Sequence, residues 1–175
     1  MSLLEFLGIS PNDRLPSTPL GIAIQRELAD LAPDRIERIA AYAGLLVRVA
    51  HADAEVSEDE RNKLVEIIRE HTALTAKEAS ALAALVIRQA TELEGIEYAL
   101  LTRAFNSFAS TEEKQRLIDC LYAVATADDE VSVVEDDVIR AVARALLLSH
   151  EQFIRIRQRY KEKLELLRPL KKPDV

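Results

Sequence analysis

The sequence predicts an all-α protein, a compact bundle of about seven to eight helices, and three observations carry that prediction. The first is composition. Of 175 residues only 4 are glycine and 6 proline, while 49% are hydrophobic, which disfavours both turn-rich β folds and long disordered tracts. The second is a set of five helix-start signatures: Ser57 with Glu60, Thr75 with Glu78, Ser110 with Glu113, Ser132 with Glu135, and Ser149 with Gln152. In each, the hydroxyl can accept a free N–H of the first turn while the Glu or Gln reaches back to the cap residue. The third is an internal echo. A shift of 75 residues places Ala52-Asp53 on Ala127-Asp128, Val56-Ser57 on Val131-Ser132 and Glu60 on Glu135, and a shift of 74 places Thr75 on Ser149. A pseudo-two-fold repeat of this size predicts a closed bundle.

Taken in order, residues 1–33 read as an amino-terminal arm, with apolar Leu3, Leu4, Phe6 and Leu7, then Pro11 and Pro16, and a helix over 19–31. Residues 34–168 read as the helical domain, and 169–175 as a basic tail. Copy one spans 34–91, with Pro33 opening a helix over 34–52 and further helices over 58–71 and 76–91. A middle helix covers 95–108. Copy two spans 111–167, with helices over 111–127, 133–147 and 150–167. The first helix of each copy is apolar almost all round, through Ile39 to Val47 and Leu117 to Ala125, so this pair belongs in the middle. The others carry narrower stripes, such as Leu64, Ile67 and Ile68, and pack around it.

Charge and motif content narrow the function classes. Lys+Arg 23 against Asp+Glu 30 gives a net charge of -7, which argues against nonspecific binding of nucleic acid. The longest apolar run, 39–47, is far short of the roughly 20 residues of a membrane-spanning helix. The amino terminus has no basic leader, and one cysteine cannot form an internal disulfide, so a reducing cytoplasm is expected. Cys120 lies inside an apolar helix and reads as a small core residue. There is no glycine-rich phosphate loop and no nucleophile motif.

The remaining chemistry lies in two acidic loops. Asp53, Glu55, Glu58, Asp59 and Glu60 stand in one, and Asp128, Asp129, Glu130, Glu135, Asp136 and Asp137 in the other, with no base in either. Glu58 to Glu60 and Glu135 to Asp137 sit in first helical turns, where the helix dipole favours each anion by roughly 0.3–1 kcal/mol. Asp53 and Asp128 instead follow helix ends, where an anion needs a compensating donor or cation. The pattern Asp, two residues, aliphatic, Ser, two residues, Glu matches the second half of an EF-hand calcium loop. The first half is missing, since Val49 and His51, or Val124 and Thr126, stand at the first ligand positions. The turn glycine is replaced by Ala54 and Asp129. A standard EF-hand is therefore excluded, and two half-sites of about two oxygen ligands each remain. The simpler reading is capping with a solvated acidic turn. The sharper one is binding of a divalent cation, calcium or another, by Asp53 and Glu60 and by Asp128 and Glu135. Glu55, Asp129 and Glu130 are candidates for contact with a basic partner.

The segment Val49-Ala-His-Ala-Asp-Ala-Glu-Val-Ser-Glu-Asp-Glu60, its echo Val124 to Glu135, and the stretch Val138 to Phe153 resemble the TerB-like family of bacterial tellurite-resistance proteins. The resemblance covers roughly 36–160 and rests on the doubled loop with its downstream Glu. It departs at Ala54 and Asp129, where the family usually has Gly. It implies an all-helical pseudo-symmetric bundle in a bacterial cytoplasmic or membrane-peripheral setting, with a stress-associated role. Related domains accompany DnaJ-type co-chaperones. The metal binding proposed for the family falls here on Asp53, Glu60, Asp128 and Glu135.

From Phe153 onward Arg155, Arg157, Arg159, Lys161, Lys163, Arg168, Lys171 and Lys172 face only Glu162, Glu165 and Asp174. Phe153, Ile156, Tyr160, Leu164 and Leu167 keep helical spacing, so the segment reads as a last helix packed on the body with a solvated basic face, whose bases counter the acidic loops. His51 offers a nitrogen ligand beside Asp53, but Thr126 replaces it in the echo. The expected function is a noncatalytic interaction module with a protein partner. The alternative is a structural or adaptor bundle acting with a chaperone or at a membrane surface. Catalysis is not expected, because the acids stand in polar turns that do not shift a carboxylate pKa.

Overall fold

The computed structural model describes residues 18–52, 56–91 and 95–164, and over them the chain is helical. Helix α1 (Pro19–Glu27) starts at Thr18, whose hydroxyl accepts from the Gly21 N–H, with Pro19 in the first turn. Leu20, Ile24 and Leu28 follow at four-residue spacing and are buried, which seats α1 on α2 (Pro33–Ala50) and α4 (Ala76–Ala90). Between these come α3 (Glu58–Thr72), and after them α5 (Gly95–Phe108), α6 (Thr111–Ala125), α7 (Val133–Ala145) and α8 (His150–Arg157). All five expected capping boxes are present, with both reciprocal hydrogen bonds, at Ser57, Thr75, Ser110, Ser132 and Ser149.

The apolar helix α2 is central, as its composition predicts. Eleven of its eighteen residues are buried, and it packs against α1, α3, α4, α5, α6 and α7. Gly44 permits close approach of α5, since a Cβ there would stand 2.8 Å from both Leu101 methyls. The second apolar helix, α6, packs on α2, α3, α7 and α8.

Helix starts agree with the sequence to within a residue, but several ends differ. The helix expected over 19–31 stops at Glu27, and those expected to reach 127 and 147 stop at Ala125 and Ala145. The largest correction is the last helix, expected over 150–167. It ends at Arg157 and passes through a 3₁₀ turn, Gln158–Tyr160. Tertiary bonds compete with helix continuation there: the Tyr160 hydroxyl bonds Asp119, and the Lys163 carbonyl accepts the Val131 N–H at 2.9 Å. Leu164 thereby forms an isolated parallel bridge with Val131. The apolar stripe still packs, with Phe153, Ile156 and Leu164 all buried, whereas Leu167 and the expected basic tail lie outside the described residues. So does the arm before Thr18. Among the described residues no helix is long and apolar enough to cross a membrane.

Candidate functional site

The second acidic loop is built from its capping box outward. Ser132 N–H donates to Glu135 Oε2 at 2.8 Å, and Glu135 N–H donates to Ser132 Oγ at 3.2 Å. The first loop closes in the same way, with Ser57 N–H on Glu60 Oε2 at 2.8 Å and Glu60 N–H on Ser57 Oγ at 3.1 Å. Glu60 and Glu135 are each only 5% exposed. Each therefore gives carboxylate capacity to its own helix start. Asp53 and Glu55 lie outside the described residues.

Asp128 stands in the turn beyond α6 and is exposed, while Glu130 is half-buried. Asp129 has φ 79°, a left-handed conformation that Asp tolerates better than most side chains. The turn thus keeps a glycine-like backbone without glycine. Its carboxylate pairs with Lys163 Nζ at 2.6 Å, so a base of the carboxy-terminal segment does counter the loop. Among the described residues no group of three or more His, Cys, Asp or Glu side chains comes together to hold a metal ion.

The loop's strongest anchor is a buried network absent from the sequence-based expectations. Asp136 is 3% exposed. Arg157 grips it with two donors, Nε to Oδ1 at 2.9 Å and Nη2 to Oδ2 at 2.8 Å. The Tyr122 hydroxyl donates to Oδ1 at 2.7 Å, and Arg140 Nη2 donates to Oδ2 at 3.1 Å. Burial pushes the Asp136 carboxyl up, but the bonds from Arg157 and Tyr122 and the charges of Arg157 and Arg140 outweigh it, and its pKa lies below the ordinary value. The bond to Asp136 raises Arg157, while burial and that same carboxylate raise Tyr122. Tyr122 also stacks on Tyr160 at 4.9 Å between ring centroids. One charged network therefore ties α6, α7 and α8 together beneath the loop.

A signal for this network exists in the sequence. Asp136 shares the α7 face of Ile139 and Ala143, at spacings of three and seven, and Arg157 follows Phe153 by four. Opposite charges on the apolar faces of successive helices mark a buried pair, whereas a dipole or solvated-face account treats them singly.

Above the network the loop presents a mixed surface. Val133 and Val134 are 40% and 50% exposed. Asp137 follows them by four and three residues, so all three share a face of α7. Asp128 stands exposed a few residues before them.

The family model for tellurite resistance protein TerB matches residues 38–158. The chain belongs to the TerB family, and the match takes in both acidic loops and the Asp136 network. No curated protein and no solved structure matches it.

Proposed function

We propose that this member of the TerB family is a noncatalytic interaction module of the cytoplasm, serving a tellurite-resistance or wider stress setting, and that its second acidic loop captures a basic protein surface. The carrying observation is the pairing of exposed Val133 and Val134 with the exposed acids Asp128 and Asp137 on a base fixed by the Asp136–Arg157 pair. A partner with lysines or arginines around an apolar residue complements that surface, because charge steers the encounter and the valines supply the desolvated contact. The caps on Glu60 Oε2 and Glu135 Oε2, together with the burial of both side chains, favour a protein partner over a cation, since each Glu offers little exposed oxygen for coordination. The family's tellurite-resistance name supports the setting.

The test is binding of a synthetic Lys/Leu amphipathic peptide to the full chain and to a D128N/D137N variant. Saturable binding at micromolar affinity, about -8 kcal/mol, weakened by salt and lost in the variant, is expected. Equal binding by both proteins would overturn the proposal and leave a structural bundle. Calorimetry with Ca²⁺, Mg²⁺, Zn²⁺ and Mn²⁺ on chelator-stripped protein is the second arm. Saturable heat that vanishes in D53N and D128N would replace the partner by a metal ion.

A further inference from the structure

Away from the acidic loops, a cleft of about 230 Å³ is lined by residues of α2, α3, α5 and α6. Its lining carries three guanidiniums, Arg35, Arg38 and Arg116, against one carboxylate, Glu113. The floor is apolar and aromatic: Phe105 is buried, and Phe108 meets it edge-on at 5.2 Å between centroids. On α2 the order Arg35, Arg38, Tyr42 places cation above aromatic on one face at spacings of three and four.

The cations differ in how they are held. Arg35 Nη2 donates to the carbonyls of Thr72 and Ala73 at 3.3 Å each, and so closes the end of α3. The Arg38 guanidinium lies 4.4 Å over the Phe108 ring, which fixes its plane and leaves its N–H edge unspent. Neither Arg38 nor Arg116 makes a hydrogen bond or ion pair with another described residue. The Glu113 carboxylate is held by its cap, accepting the Ser110 N–H at 2.7 Å.

On the cleft wall the Tyr42 hydroxyl donates to Cys120 Sγ at 3.3 Å, and His71 Nε2 lies 3.6 Å from the same sulfur. Burial pushes the Cys120 thiol up and His71 down, so both are neutral near pH 7. The cleft has no thiolate to attack a ligand, and its positive charge is confined to the rim.

We propose that this cleft binds a small organic anion, a single aromatic ring or comparable apolar body bearing one carboxylate or phosphate. The ring lies against Tyr42 and Phe105, beside the Phe108 ring that Arg38 covers, and the anionic group takes the unspent donors of Arg38 and Arg116. Sites for drug-sized ligands run to roughly 300–1,000 Å³, so the smaller space here suits a one-ring molecule. Guanidiniums in a fixed plane favour carboxylate and phosphate over other acceptors.

The probe is phenyl phosphate, added to the isotope-labelled full chain and followed by backbone amide shifts, with inorganic phosphate and benzylamine as comparators. Saturable shifts confined to residues around the cleft are expected, with phenyl phosphate binding about tenfold tighter than inorganic phosphate and benzylamine silent. Arg38→Gln and Arg116→Gln should each weaken phenyl phosphate about tenfold, the loss of one charge-assisted contact. Both side chains are exposed, so folding is retained, and circular dichroism checks it. Asp128→Asn, in the separate acidic loop, should leave this binding unchanged. Equal affinity for benzylamine, equal affinity for bare phosphate, or unchanged binding in the R38Q/R116Q double variant would overturn the proposal.

Discussion

The two acidic loops share one local grammar and differ in what lies beneath. Ser57 with Glu60 and Ser132 with Glu135 form equivalent capping boxes, and each Glu is 5% exposed. Below the second loop, Tyr122, Asp136 and Arg157 form a buried charged network. The positions aligned with them in the first half are Val47, Arg61 and Ala83, of which Val47 and Ala83 are buried apolar residues and Arg61 is exposed. The helices around the first loop therefore carry buried apolar residues where those around the second carry a largely buried ion pair. Helix length explains why the second needs it. Its third helix, α8, has 8 residues, against 15 in α4, and a helix that short is held by tertiary contacts rather than by its own backbone bonds.

The largest expected effect breaks that ion pair alone. Asp136→Ala leaves the half-buried Arg157 without its anion, and loss of the buried partner from this pair costs about 3 kcal/mol. Arg61→Ala, at the aligned exposed position, should stay within about 0.5 kcal/mol of the wild type. Urea unfolding midpoints of the two variants measure the contrast. The same network sets an acid sensitivity. The folded-state pKa of Asp136 is depressed below 3.8, so its stabilisation is complete above that value and fades as pH falls through the folded one. Between pH 5 and the acid transition, Asp136→Asn should show a flatter loss of stability than the wild type. Equal slopes would mean that the carboxylate is not linked to folding.

The two local caps should behave alike despite this difference. Ser57→Ala and Ser132→Ala each remove the acceptor of one first-turn N–H, at a cost of about 1 kcal/mol. Matching denaturation shifts would show that the caps act independently of what lies beneath each loop. A much larger loss at Ser132 would show that its cap also positions Asp136, one residue beyond Glu135, for Arg157.

This contrast explains how far the sequence could be read. The helix starts were legible because a capping box is written within four residues, such as Ser110 to Glu113. Ends were less so, because they depend on distant groups. Nothing between 150 and 167 announces that Val131 will take the Lys163 carbonyl or that Tyr160 will reach Asp119. The same limit hid the buried network, whose members are separated by 14 and 21 residues. Charge counting assigned Asp136 to a helix dipole and Arg157 to a solvated face, and the structure places both on packed faces. Cys120, a small core residue by its place in an apolar helix, is buried as such. Its contacts with Tyr42 and His71 join helices too far apart in sequence for periodicity to pair them.

The smallest expected effect probes a feature that both halves share. Helices α3 and α7 are followed by non-glycine residues in the left-handed region, Ala73 with φ 54° and Leu147 with φ 63°, at positions aligned by the 74-residue shift. After α7 the turn has the Schellman pattern, with Leu147 N–H on the Arg144 carbonyl at 2.9 Å and Leu148 N–H on that of Ala143 at 3.1 Å. A left-handed L-residue costs roughly 1–2 kcal/mol, and glycine removes that strain while adding unfolded-state entropy. Ala73→Gly and Leu147→Gly should therefore each raise stability by about 0.5–1 kcal/mol, read as a higher thermal midpoint. Leu147 is 80% exposed, so its side chain offers little packing to lose. A gain at both sites would place the strain in the backbone turn common to the two halves. A loss at Leu147 alone would mean that the unfolded-state entropy added by glycine outweighs the strain relieved there.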